Sequence, residues 1–254
     1  MAYPGFNLAG KVVALTGSTS GMGLEIARGL AQSGARIIVS SHAEEDTQSA
    51  VAHLSTEGFE VKGVTCDITS ADSAASFYER AIAAFGKVDV LFCQAAGPAP
   101  QGPSAEVLSS DVDALFAEVR NNLVLIRKFL PAMAARKDGS VIVMSSIASL
   151  RANPALGAYG AAKAALTSLV RNIAAEWGGQ NVRANAIAPG MVRTAFSKAL
   201  WSDPADEQRI AARSPLNRIA EPSDLAGVAI LLASPAGAYI TGQTILIDGG
   251  RSIL

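Results

Sequence analysis

Short apolar runs recur along the chain, separated by longer stretches in which apolar residues return every three or four positions. KVVALT (11–16), ARIIVS (35–40), FEVKGVT (59–65), VDVLFC (88–93), SVIVMS (140–145), NVRANAIA (181–188) and TILID (244–248) read as strands. Their unbroken aliphatic character fits strands covered on both faces. Helical periodicity fills 22–33, 43–57, 70–86, 105–136, 157–178 and 222–233, the last opening on Pro222, Ser223 and Asp224. Strand–helix alternation predicts an α/β fold: one doubly wound parallel sheet of seven strands, with helices on both faces. No repeat or linker breaks the pattern, which predicts a single domain over 1–254. The irregular stretch 189–221 is the candidate lid over a site.

Two helical segments carry more apolar surface than one sheet face needs. In 105–136 the stripe Val119, Leu123, Ile126, Leu130 and Met133 is flanked by Val124, Leu125 and Phe129, and 157–178 adds Leu166, Leu169, Val170, Ile173 and Trp177. Such helices are buried by more than their own sheet, which predicts an oligomer.

Composition narrows the partners. The 254 residues carry a formal net charge of -1 and are 50% hydrophobic, without the basic runs that nucleic acid or an anionic membrane would require. No apolar run reaches the roughly 20 residues of a membrane span, and the start MAYPGFNLAG lacks the basic and apolar regions of a signal peptide. Cys66 and Cys93 lie in or beside strand-like runs and read as buried thiols of a reducing cytoplasm. His42 and His53 have no neighbouring metal-type ligands, so no metal site is expected.

Two motifs suggest chemistry. VVALTGSTSGMGLEIARGL joins the first strand to the first helix, with Gly17, Gly21 and Gly23 spaced for a tight turn. Glycines there let backbone approach a pyrophosphate seated on the helix N-terminus. Farther on, YGAAK places Tyr159 and Lys163 one helical turn apart on a shared face, with only small residues between. An ammonium beside a phenol favours phenolate and would suit the pair to proton transfer.

Together these stretches resemble the short-chain dehydrogenase/reductase family over nearly the whole chain. TGSTSGMG (16–23) is similar to its cofactor loop, YGAAK to its Tyr-x-x-x-Lys, and Ser146 stands 13 residues before Tyr159, where the family's active serine falls. NAIAPGMVRT resembles the family's Pro-Gly segment beside the nicotinamide, and YITGQTILIDGG its last strand. The resemblance implies a Rossmann-type domain that interconverts a carbonyl and an alcohol by hydride transfer. Ser146, Tyr159 and Lys163 would be catalytic, with Lys163 lowering the pKa of Tyr159 and holding the nicotinamide ribose. Cofactor contacts would come from Gly17, Ser18, Thr19, Ser20, Gly21, Met22 and Gly23, and from Ser41, His42, Asp67 and Ile68. Ala95, Ala96, Gly97, Tyr159, Lys163, Pro189, Gly190, Val192 and Thr194 would complete them. With the surplus apolar helices, the resemblance also implies a cytoplasmic homotetramer acting on a small carbonyl or alcohol.

Two departures stand out. Gln94-Ala95-Ala96-Gly97 replaces the usual Asn-Asn-Ala-Gly, and Glu118 occupies the position of a catalytic-network asparagine, with Asn121 and Asn122 one turn on as possible substitutes. An alternative reading is a 3-oxoacyl-carrier-protein reductase, and another is a nucleotide-binding sensor with little turnover. The close Tyr–Lys spacing disfavours an enoyl-type reductase. Met191, Phe196, Leu200 and Trp201 imply a partly apolar substrate pocket. The second strand ends with Ser41 and His42 and no carboxylate. NADP is therefore favoured over NAD, although neither arginine nor lysine is present to grip a 2′-phosphate.

Overall fold

A computed structural model describes residues 3–97 and 99–254. Seven strands, β1 (Val12–Thr16), β2 (Arg36–Val39), β3 (Val61–Gly63), β4 (Val90–Cys93), β5 (Gly139–Met144), β6 (Val182–Pro189) and β7 (Thr244–Ile247), form one sheet. Its order is β3-β2-β1-β4-β5-β6-β7 and every pairing is parallel. Seven helices accompany them: α1 (Gly21–Gln32), α2 (Glu44–Thr56), α3 (Ala71–Phe85), α4 (Ser109–Arg136), α5 (Gly157–Trp177), α6 (Pro204–Ala211) and α7 (Ala226–Ala233). The expected doubly wound sheet is present, with strand ends within about two residues of the apolar runs.

Strand alternation splits the core into two layers. Val12 and Ala14 of β1 pack with Phe77, Leu125, Phe129 and Val170, under α3, α4 and α5. Val13 and Leu15 pack with Ile26, Leu30 and Leu54, under α1, α2 and α7. All five β1 side chains are buried, which is why that strand reads as a continuous apolar run rather than an alternation. The order reverses at β1, whose neighbours are β2 and β4, and ligand crevices form at such a switch point beyond the carboxyl ends of the strands.

The segment 189–221 departs from expectation. It is not irregular throughout: a short 3-10 turn at Lys198–Leu200 is followed by α6, whose first turn is capped by Asp203 accepting from the Ala205 N–H at 2.8 Å. Only Ile210 of α6 is buried, so it offers little apolar periodicity to read. Among the described residues no helix is long and apolar enough to cross a membrane.

Candidate active site

The turn between β1 and α1 is glycine-rich for steric reasons. Gly17 and Gly21 have φ of +64° and +52°, in the left-handed region. A Cβ on Gly23 would stand 2.2 Å from the Gly17 carbonyl oxygen, and one on Gly17 would stand 2.8 Å from the Ala95 backbone. Thr16 Oγ1 accepts from the Gln94 and Ala95 N–H groups at 3.1 and 3.2 Å, joining this turn to the one after β4. Gln94 donates its Nε2 to the Gly17 carbonyl at 3.3 Å, while its buried Oε1 has no partner among the described residues. Ser20 precedes α1 without capping it through its side chain, and no acidic residue lies in the first turn. A cradle that a Cβ would fill, beside an uncapped helix end, fits a dinucleotide pyrophosphate. Thr19, Ser20 and Met22 line its mouth, exposed or half-buried. Ser18 is different. Its buried hydroxyl donates to the Leu15 carbonyl at 2.8 Å and accepts from the Ser40 N–H at 2.9 Å, and its own N–H donates to the Ser40 carbonyl at 2.9 Å, so its part is to tie the turn to the end of β2.

At the far end of the crevice Ser41 is buried and His42 exposed. Ser41 Oγ accepts from the Ala43 N–H at 3.3 Å and lies 3.5 Å from Asp46 Oδ2. The expectation of a carboxylate-free position is therefore corrected: the first turn of α2 brings Asp46 back over the strand end. Glu44, in the same turn, instead accepts from Thr65 Oγ1 and Gln48 Nε2. Asp67 is held below the usual carboxylate range, chiefly by the hydroxyl and backbone N–H of Thr69 at 2.7 and 2.9 Å. The Ile68 side chain is buried, and its carbonyl accepts from Asn121 Nδ2 at 2.7 Å.

The polar group of interest gathers where β5 hands over to α5. A Cβ on Gly160 would lie 2.5 Å from the Ala148 carbonyl oxygen, so the glycine in YGAAK lets α5 press against the 146–149 turn. That approach brings the Tyr159 phenol to Ser146. Ser145 Oγ donates to the Lys163 carbonyl at 3.2 Å, tying the same helix to the end of β5. Lys163 is buried, with Nζ 5.4 Å from the Tyr159 ring centroid. Burial pushes the Tyr159 hydroxyl above its ordinary range; a hydrogen bond with Ser146 opposes this and the Glu118 charge adds to it. The same burial lowers Lys163, against the pull of Glu118. Tyr159 is thus raised, chiefly by burial, where the resemblance implied a lowering by Lys163.

Glu118 is itself buried and accepts from the Gly97 N–H, in the turn that carries Ala95 and Ala96. Asn121 and Asn122, named above as possible substitutes for the usual asparagine, are both buried, and Asn122 Oδ1 has no partner among the described residues. Asn121 is spent on Ile68, and Asn122 Nδ2 donates to the Glu118 carbonyl at 2.9 Å.

After β6, whose last residue is Pro189, the Gly190 N–H donates to the Ile247 carbonyl at 2.9 Å, and buried Val192 bridges to Ala220. Thr194 reaches the glycine turn, with its methyl 3.3 Å from where a Gly21 Cβ would be. Of the residues expected to wall an apolar pocket, Met191 lines a cavity of about 160 Å³ with Ile210 and Ile247. Trp201 instead lies under the Arg193 guanidinium, 5.0 Å from its ring, and Phe196 is 73% exposed. Arg193 also pairs with Glu207 and Glu221.

The fold and this rim define a class first: a doubly wound α/β protein of the dinucleotide-binding kind, with Ser, Tyr and Lys side chains gathered beyond its strands. A family model described as enoyl-(acyl carrier protein) reductase matches residues 17–252. Dehydrogenase/reductase SDR family member 4 of Bos taurus is 38% identical over 244 residues, covering 96% of this chain and 88% of that protein. A gluconate 5-dehydrogenase from Burkholderia cenocepacia, in complex with NADP and tartrate, superposes with TM-score 0.94 at 30% identity over 100% of both chains. A 7 alpha-hydroxysteroid dehydrogenase, complexed with NADH and 7-oxo glycochenodeoxycholic acid, gives TM-score 0.91 at 32% identity over 97% of this chain and 96% of that one. The chain belongs to the short-chain dehydrogenase/reductase family and is an oxidoreductase acting on CH–OH groups.

Proposed function

We propose that this oxidoreductase interconverts a small ketone or aldehyde and the matching alcohol, with Tyr159 moving the proton. The reading rests above all on Tyr159, with Ser146 near its hydroxyl and Lys163 Nζ 5.4 Å from its ring centroid, on a helix that glycine lets approach the 146–149 turn. Ser146 hydrogen-bonds the carbonyl oxygen, where negative charge develops during reduction. Tyr159 donates its hydroxyl proton to that oxygen in reduction and takes it back in oxidation. Burial keeps the phenol protonated at neutral pH but also makes it a weaker acid, so the transfer calls for positive charge close by. A nicotinamide dinucleotide, when bound, supplies or accepts the hydride at the carbonyl carbon.

The residues that would hold that cofactor run along the carboxyl rim. The Gly17–Gly23 turn takes the pyrophosphate, Ser41 and His42 the adenosine ribose, and Asp67 with Ile68 the adenine. Ala95, Ala96, Gly97 and Lys163 flank the second ribose, and Pro189, Gly190, Val192 and Thr194 the nicotinamide. NADP remains favoured, because His42 offers a donor to a 2′-phosphate; Asp46 beside Ser41 narrows the margin. The relatives fit either choice, since one binds NADP and another NADH.

One screen tests the assignment: purified protein with NADPH or NADH against ketones, aldehydes, a 3-oxoacyl thioester and an enoyl thioester. Carbonyl-dependent cofactor oxidation, lost by about 10²-fold or more in Tyr159→Phe while cofactor still binds, is the expected result. Turnover of the enoyl thioester alone would favour the reaction named by the matching family model. No turnover with bound cofactor would favour a sensor, and near-normal activity in Tyr159→Phe would end the proton-transfer assignment.

A further inference from the structure

The cavity of about 160 Å³ beside Met191 lies beyond the ends of β6 and β7, at the opposite end of the strand order from the adenosine loops. Its wall is amphiphilic: Met191, Ile210, Leu216 and Ile247 are apolar, and Arg251 stands among them. Two carboxylates share that wall, and both are committed. Asp224 accepts from Arg218 Nη1 and Nη2 at 2.5 and 2.9 Å and from the Glu221 N–H at 2.8 Å. Asp248 accepts from the Gly250 and Ser252 N–H groups at 2.9 and 2.8 Å. Glu207 and Glu221 are held by Arg193. Arg251 is left without an ion pair among the described residues, and its buried Nε has no hydrogen-bond partner there.

Two further guanidinium groups belong to the same corner. Arg151, five residues after Ser146, donates Nη1 to the Arg251 carbonyl at 3.0 Å. Gly249 and Gly250 press the C-terminal segment onto the residues that follow Arg213: a Cβ on them would stand 3.3 Å from Ser214 and 2.8 Å from Pro215. Neither Arg151 nor Arg213 pairs with a carboxylate among the described residues. Burial and then the like charges of Arg213 and Arg151 lower Arg251, with Asp248 opposing. An arginine stays charged all the same, and a half-buried cation among like charges is costly until an anion joins it.

We propose that Arg251, flanked by Arg151 and Arg213, forms an anion subsite of the substrate pocket, and that the substrate carries a carboxylate or phosphate remote from its reacting carbon. This rests on the carbonyl–alcohol reading given above, with Ser146 and Tyr159 at the reacting end. Ser146 follows β5 and Arg251 follows β7, two strand spacings or about 10 Å away. The anion therefore stands several bonds from the carbonyl, and Met191, Ile210 and Ile247 cover the carbon chain between. A planar guanidinium matches either anion in fork geometry.

The carbonyl probes are levulinate, its methyl ester, and the phosphate monoester of a hydroxyketone of the same length. Levulinate should exceed its ester in kcat/KM by about tenfold or more. Arg251→Gln should remove most of that ratio, and Arg251→Lys, which keeps the charge without the fork, should restore part of it. Arg213→Gln, at an exposed position, should lower the ratio by a smaller factor, and it answers the question should Arg251→Gln fail to fold. A phosphate monoester that outpaces levulinate names phosphate as the anion, and the reverse order names carboxylate. Equal kcat/KM for acid and ester in the wild type overturns the proposal, as does an unaltered ratio in folded Arg251→Gln. A second measurement needs no turnover: glutarate, titrated by calorimetry onto the protein without cofactor, should bind, and should bind several-fold more weakly to Arg251→Gln. Glutarate that fails to bind the wild type also overturns the subsite. Intact glutarate binding with no turnover of any carbonyl would defeat the proposed function and leave the subsite standing.

Discussion

Lys163 carries opposing demands, since the fold buries it and its proposed work needs it charged. Lys163→Ala should weaken dinucleotide binding by about tenfold or more, read by fluorescence titration, because it removes a charge-assisted donor to the ribose. At the adenosine end Asp46 is the residue to change. Asp46→Asn should raise the ratio of kcat/KM for NADPH over NADH several-fold, by removing a negative charge near a 2′-phosphate. An unchanged ratio would place the phosphate elsewhere. The cysteines predict an alkaline limit to stability. Burial pushes the Cys66 thiol up to about 11 and Cys93 higher still. Unfolded thiols ionise near pH 8.5, so the unfolded state sheds protons first and stability falls as pH rises from about 9 toward 11. For Cys66 the loss is roughly 3 kcal/mol, and Cys66→Ala should reduce the fall in denaturation midpoints across that window by about half, with Cys93 supplying the rest. What the sequence disclosed at this scale was residue type at fixed offset, as with Ser146, Tyr159 and Lys163. What it hid were contacts made across an element start, such as Asp46 with Ser41, and hydroxyls spent on backbone, as in Ser18.

Helix ends and glycine contacts govern the next scale up. Gly23→Ala would drive a methyl into the Gly17 carbonyl oxygen, and that neighbour is backbone with no rotamer to yield. The cradle must shift, so cofactor affinity should fall by more than tenfold with a smaller loss in thermal midpoint; unaltered affinity would remove the cradle from the binding site. Ser70 caps α3 by accepting from the Ser73 N–H at 3.2 Å, and Ser70→Ala should cost about 1 kcal/mol in urea denaturation. Strands and long helices were legible because burial on two faces writes unbroken apolar runs and burial on one writes a 3.6 period. α6 was not, since a helix with a single buried residue leaves no period to detect, although Asp203 and Pro204 do mark its start.

For the whole molecule, the apolar stripe on α4 divides into two parts. Ile126, Leu130 and Met133 are consumed by the core, whereas Leu123 is 37% exposed and Phe116, outside the stripe two turns earlier on the same helix, is 44% exposed. The exposed pair is the part available to another copy, and a homotetramer remains the expected state, read by light scattering at micromolar concentration. Phe116→Asp with Leu123→Asp should lower the mass to a dimer or monomer; a tetramer that survives both changes would move the contact to another face. Strand order was not legible in any single run, because nothing local in β1 names β4 as its neighbour. That order also fixes a sequence of manufacture. A growing chain has the cradle, the adenosine loops and the seam to β4 in hand by residue 97, yet Tyr159, Lys163 and the root of the lid come only from the second half. Synthesis thus delivers the adenosine side of the proposed cofactor site before its nicotinamide side, and a chain stopped early carries the first without the second.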